Sequence, residues 1–215
     1  MEGDITMTLE RLLTEINTFL KNTDSEAERI EVLNTLRQTL HQHSPFVDEP
    51  VDCVLWVKTS ELVPNDYNPN FMAPSEKKLL QRSLETNGYT QPIVAAVRKK
   101  KYVIIDGYHR YNLGKSKSIL GKKLSQYLPV TLISEEGLLP AERIAATIRH
   151  NRARGKHQIA AMSAIVQDLH RLGWEDSKIS GELGMDKDEV LRLKQISGLA
   201  EMFLDNPYST GWTVK

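Results

Sequence analysis

YVIIDGYHRYNLGKS, residues 102–116, decides how this chain is read. Ile104 and Ile105 end an apolar stretch with the character of a buried strand, and Gly107 allows a tight turn into a short helix. The N–H groups that open a helix have no partner within it, so a strand-to-helix turn of this kind can cradle an anion. Arg110 adds a guanidinium fork suited to phosphate oxygens, His109 can donate to the same anion, and Lys115 and Lys117 follow one to two turns later. Tyr108 sits within the turn, and a phosphate site here would use Gly107, Tyr108, His109, Arg110 and Lys115. Asp106 is the odd member, because a carboxylate repels phosphate. It would hold a bridging magnesium ion, accept a ligand hydroxyl, or cap the helix and hold Arg110 in an ion pair.

Two further groups bear on chemistry. Asp66, in VPNDYN, lies in a loop after an earlier strand, where it would serve as a metal ligand, as a general base or as a turn former. IRHNRARGKH, residues 148–157, holds Arg149, Arg152, Arg154 and Lys156 with no acid, and Asn151 stands among them. Such a cluster would contact a polyphosphate or a nucleic-acid backbone, or would simply be a solvated helix end.

Around these groups the periodicity changes twice. Leu9, Leu12, Leu13, Ile16, Phe19 and Leu20 recur at helical spacing, as do Ile30, Leu33, Leu36 and Leu40, with Thr23 and Glu26 read as a capping box. This predicts a helical appendage over 1–43, either packed on the body or used for self-association as a homodimer. VDCVLWV, PIVAAV, YVII and PVTLI read as strands, with RKKK at 98–101 as a hairpin tip and PSEKKLLQRSLETNG as a helix stopping at Asn87 and a left-handed Gly88. Strands interleaved with helix predict a sheet domain over 51–138. From 139 to 200 the pattern is helical, and two short helices around Gly184 and Met185 suggest a helix-turn-helix unit, followed by a tail at 201–215. Between Arg171 and Lys194 five bases face six acids, with Asp186, Asp188 and Glu189 opening the presumed recognition helix. DNA contact would therefore fall to Arg149, Arg152, Arg154, Lys156, Lys187 and Arg192.

The 215 residues carry 28 Lys and Arg against 28 Asp and Glu, so the total charge advertises no polyanionic partner. The neutral total hides opposed segments: twelve acids to five bases over 1–61, but nine bases to one acid, Asp106, over 98–123. Cys53 is the only cysteine, which excludes an intrachain disulfide and a thiolate zinc cluster and fits a reducing compartment. The start, MEGDITMTLE, lacks the basic and apolar regions of a signal peptide, and no apolar run is long enough to cross a bilayer. A soluble cytoplasmic protein is expected.

In order and spacing, LVPNDYNPN, LLQRSLETNGYTQPIVAAV, YVIIDGYHRYNLGKS, IRHNRARG and ISGELGMDKDEV resemble the ParB and sulfiredoxin superfamily over roughly 53–198. The resemblance implies an α+β protein, a ParB/sulfiredoxin-like mixed-sheet domain followed by an all-helical domain with a helix-turn-helix-like unit. At the turn, Gly107 and Arg110 match the G-E-R-R of the cytidine-triphosphate-binding ParB proteins, and Tyr108 stands where sulfiredoxin has its catalytic cysteine. Asp106, Gly107, His109 and Arg110 match the D-G-H-H-R of the ParB-like free serine kinase, and Pro64, Asn65 and Asp66 stand in place of that kinase's P-H-E. The chain is also similar to the IbrB group of coactivators, which are associated with a partner resembling phosphoadenosine phosphosulfate reductase.

Together these readings predict a magnesium-dependent binder or slow hydrolase of a purine nucleotide, ATP or ADP, acting as a regulator associated with DNA or a partner. Asp66, Asp106 and His109 would be catalytic, Asp66 and Asp106 would hold the metal, and Asn151, Arg152 and Arg154 would close over the nucleotide. The alternatives are a phosphotransferase acting on a small hydroxyl compound and a non-enzymatic DNA-binding coactivator.

Overall fold

The computed structural model describes residues 2–65, 72–115, 121, 123–152 and 159–204, with side chains within 8–150 and 159–197 of that set. Its elements are α1 (Glu2–Lys21), α2 (Glu26–Gln42), β1 (Val54–Lys58), β2 (Leu62–Val63), α3 (Pro74–Asn87), β3 (Ile93–Arg98), β4 (Lys101–Asp106), α4 (Tyr108–Lys115), β5 (Tyr127–Leu132), α5 (Pro140–Arg152), α6 (Ile159–Arg171), α7 (Asp176–Leu183) and α8 (Lys187–Leu204). This is a mixed α/β sheet domain followed by an all-helical region, as the strands interleaved with helix and then the helical periodicity predict.

The five strands order as β1-β5-β3-β4-β2. β1 and β5 pair antiparallel, β5 and β3 parallel, β3 and β4 as an antiparallel hairpin, and β4 and β2 parallel. β2 is the one strand the sequence reading left inside a turn-rich loop; its two residues are too few to show alternation. RKKK does form the hairpin tip. Lys99 and Lys100 make a two-residue turn with φ of 48° and 61°, a left-handed geometry more usual for Asn-Gly.

One face of the sheet buries Leu55, Val57, Ile93, Ala95, Ile104, Leu128 and Val130 around Tyr111 of α4, which is 1% exposed. Leu84 of α3 meets Leu113 of α4, so the two helices cover that face together. α5 contacts β4 while contributing Ile144, Ala145 and Ile148 to a second core with Met162, Val166, Leu169, Ile179 and Val190. It is the element that joins the sheet to the helical region. Inside that region the buried Ser163 hydroxyl is satisfied by donating to the Leu193 carbonyl at 2.5 Å, tying α6 to α8.

The N-terminal appendage is packed on the body through α2. The Asn34 carboxamide donates to the Trp56 carbonyl at 2.8 Å and accepts from the Trp56 N–H at 3.0 Å, imitating a neighbouring strand along the edge of β1. The expected capping box at Thr23 and Glu26 is corrected: Ser25 is the N-cap and accepts from the Glu28 N–H, while Glu26 accepts from the Ser125 hydroxyl at 3.0 Å. Gly88 ends α3 with positive φ (73°) but an extended ψ of −167°, so the predicted left-handed cap is not the conformation adopted. A left-handed glycine occurs instead at Gly184, closing α7. Among the described residues no helix is long and apolar enough to cross a membrane.

Candidate functional site

The turn is built from the end of β4 outward. Asp106 closes the strand, Gly107 has φ of 93°, and Tyr111 donates its N–H to the Gly107 carbonyl as the first bond of α4. Gly107 is therefore the N-cap, and Asp106 stands one residue before it. A Cβ on Gly107 would lie 3.1 Å from Arg110 Nη2, 3.2 Å from Nε and 3.3 Å from the Ile93 backbone. Glycine is required here both for its φ and because the guanidinium folds back across it.

Asp106 uses both oxygens locally, accepting from the Gly107 N–H at 2.7 Å and from Arg110 Nη2 at 3.4 Å. Arg110 also donates from Nη1 to the Gln91 side-chain oxygen at 2.8 Å. Both members of the pair are only 12% exposed, so the guanidinium is held against the sheet by an acid and an amide. Of the roles foreseen for Asp106, this geometry carries out the pairing with Arg110. Tyr89 fixes the turn from the other side: its hydroxyl donates to the Arg110 carbonyl at 2.6 Å, and burial pushes its pKa up to about 12.

His109 carries a buried Nε2 with no hydrogen-bond partner among the described residues. Burial, and then repulsion from Lys77, lower its pKa against a smaller opposing pull from Glu76, so the ring is neutral at neutral pH and brings no charge to an anion. Tyr108 meets the His109 ring edge-on, with centroids 5.7 Å apart. Lys115 turns back onto the core, donating to the Tyr111 hydroxyl at 2.9 Å with its ammonium 5.2 Å from that ring.

Asp66, Lys117, Arg154 and Lys156 lie outside the described residues, as do the side chains of Asn151 and Arg152. The loop that leads to Asp66 does reach α5: Asn65 donates to the hydroxyl of buried Thr147 at 3.0 Å. Arg149 is ion-paired with Glu182, which occupies one of the expected DNA-contacting bases. Lys187 and Arg192 are exposed on α8, beside exposed Asp186 and Asp188. Gln91, Tyr89 and Gly114 went unread as parts of the turn's support, and Asn65 as a tie to α5. Gly114 alone had a local signal, a glycine inside a helix; the rest depend on contacts made across the sheet.

Comparison with known proteins follows the same division. The chain is 58% identical over 207 residues to YbdM of Escherichia coli (strain K12), an uncharacterized protein, an alignment that covers 96% of this chain and 97% of that one. It belongs to the YbdM family. Residues 157–205 match the model of the IbrB-like C-terminal HTH domain. Among solved structures, C-terminally truncated ParB from Caulobacter crescentus bound to the centromeric parS site is 15% identical, covering 69% of this chain and 76% of that one, with a TM-score of 0.44. The same truncated ParB complexed with CTP-gamma-S is 14% identical, covering 70% and 83%, with a TM-score of 0.37. These are likenesses of fold alone: a ParB-like sheet domain followed by helices, ending in a helix-turn-helix domain.

The purine expectation is corrected at this point. The nucleotide in that ParB structure is CTP-gamma-S, a cytidine nucleotide, so the superfamily likeness gives no ground for ATP or ADP. Asp106, the described half of the expected metal pair, is engaged by Arg110 and the Gly107 amide.

Proposed function

We propose that the chain is a DNA-associated regulatory protein that engages duplex DNA through the helix-turn-helix unit of its helical region. One observation carries this reading: the match to an IbrB-like HTH domain over 157–205 coincides with the compact packing of α6, α7 and α8 around Val166, Leu169, Ile179 and Val190. Electrostatics set its manner of binding. Arg149 and Lys194 are paired with Glu182 and Asp176, and Asp186 and Asp188 stand at the opening turn of α8. Phosphate contact falls to Lys187 and Arg192, which predicts modest affinity with a shallow salt dependence.

The test is fluorescence anisotropy of labelled duplex against the full chain across a salt series, with Lys187→Ala and Arg192→Ala. Each removed phosphate contact should lower the log–log salt slope by about 1. Binding that ignores salt, or that survives both substitutions unchanged, sinks the proposal.

A second reading has its own observation. Leu191, one turn past the acidic opening of α8, and Ile196 further along it are exposed, a surface suited to a protein partner with a basic rim. The partner resembling phosphoadenosine phosphosulfate reductase, implied by the IbrB likeness, is the one to titrate. Leu9, Leu12, Leu13 and Phe19 are likewise exposed along α1 and support a homodimer, to be tested by light scattering.

A further inference from the structure

The sheet has a second charged end, opposite the Gly107 turn. A groove of about 1010 Å3 opens where β3 and β5 end and β4 begins, lined by Val63, Val103 and Leu132, by Lys99 and Lys101 of the hairpin, and by Arg143 of α5. Arg98, also on the wall, is neutralised by Glu135, to which Nε and Nη2 each donate at 2.6 Å. Arg143 is different. Its Nε is buried without a hydrogen-bond partner among the described residues, and no acid pairs with its guanidinium there.

We propose that this groove binds a small organic phosphate, with Arg143, Lys99 and Lys101 around the phosphate and the valines and Leu132 against the organic part. Three features converge on that class. Arg143 lines the groove with no acid paired to its guanidinium among the described residues, so its charge is available to an anion there. Lys99, Lys101 and Arg143 outnumber Glu136, which has no ion pair among the described residues, by two charges, close to what a phosphate monoester carries near neutral pH. The lysines are also delivered by a turn whose Lys99 and Lys100 hold φ of 48° and 61°, a strained choice where glycine would rest, which fixes Lys99 and Lys101 at the rim. A concave apolar floor suits a small ligand better than the smooth backbone of a duplex. The inference does not depend on DNA binding by α8.

The probes are inorganic pyrophosphate and glycerol phosphate, titrated calorimetrically into the full chain, with Arg143→Gln, Arg110→Ala and wild type compared after circular dichroism shows each folded. Saturable binding that weakens at least about 10-fold in Arg143→Gln and persists in Arg110→Ala supports the site; about 10-fold is the loss of one charge-assisted bond. Binding lost in Arg110→Ala but kept in Arg143→Gln would put the phosphate at the other end of the sheet and overturn it. So would the absence of saturable binding to wild type, or an Arg143→Gln effect seen only with duplex DNA. Lys99→Gln with Lys101→Gln, both on the surface, repeats the test without touching the core.

Discussion

Gly114→Ala makes the sharpest test of how the Gly107 turn is supported, because the two forces involved have opposite signs. In an exposed helix interior, alanine in place of glycine stabilises by about 1 kcal/mol. Here a Cβ would stand 2.3 Å from the Tyr89 hydroxyl and 2.4 Å from Leu128 Cδ2, and Leu128 is fully buried. Neither neighbour yields cheaply. Tyr89 is a rigid ring whose hydroxyl holds the Arg110 carbonyl at 2.6 Å, and losing that bond costs about 1 kcal/mol. Overpacking a filled core adds about 1–3 kcal/mol, so the net is a loss of about 1–3 kcal/mol once the helix gain of about 1 kcal/mol is set against it. With a urea slope of about 1–3 kcal/mol/M, the unfolding midpoint should fall by roughly 1 M. Tyr89→Phe removes one obstructing atom, so the double variant should be less destabilised than the sum of the singles. A Gly114→Ala protein with an unchanged or raised midpoint would refute the packing argument outright.

Three further outcomes follow from the same structure. Asn34→Ala removes both bonds to Trp56 and bares the edge of β1, so urea melts should show a loss of about 1–3 kcal/mol, with aggregation as the strand edge opens; an unaltered melt would mean α2 does not hold that edge. Because burial lowers the folded pKa of His109 below its ordinary value of about 6.5, the unfolded chain takes up the proton first as pH falls. Its stabilising contribution is complete above that value and drains away as pH drops through the gap, a slope that His109→Phe should flatten in melts across pH 5–7. Arg110→Ala strips the partly buried Asp106 of its cation and Gln91 of its donor and should cost about 1–3 kcal/mol by urea, whereas an Arg110 that served only an external phosphate would be dispensable to stability.

The fold was legible where burial imposes a period. PIVAAV and YVII are short apolar runs on either side of a charged hairpin tip, and Met162, Ile165, Val166 and Leu169 repeat at helical spacing on a buried face, so β3, β4 and α6 could be placed from sequence; α1 was placed by the same spacing although Leu9, Leu12, Leu13 and Phe19 stay exposed. β2 could not, since Leu62 and Val63 owe their conformation to β4 alongside. At the candidate site the residue types of DGYHR were legible but their engagement was not. Whether Arg110 faces a ligand or Asp106 depends on Gln91, nineteen residues earlier and across the sheet, a separation that local pattern does not encode. Arg143 shows the converse: in LPAERIAATIRH it reads as an ordinary helix-face arginine, and only the fold sets it on the wall of a groove with the hairpin lysines.

A net charge of zero says nothing about which bases are spent on the fold, and the structure sorts them. Arg98 belongs to Glu135, Arg110 to Asp106, Arg149 to Glu182 and Lys194 to Asp176. Lys99, Lys101 and Arg143 at one end of the sheet, and Lys187 and Arg192 on α8, have no acid within ion-pair distance among the described residues. A paired, half-buried base stabilises the protein and is lost to ligands, because recruiting it would leave its acid stranded. An exposed, unpaired one stays hydrated and open to an anion, because no acid has to be given up to recruit it. By that logic the basic middle of the sequence divides in two: Arg110, at the end of β4, is held by Asp106, while Lys99 and Lys101, at its start, are left without an acid among the described residues. In the proposed groove the charge left for a ligand lies where the chain turns through a left-handed Lys99 and Lys100 and where the Arg143 guanidinium has no acid among the described residues.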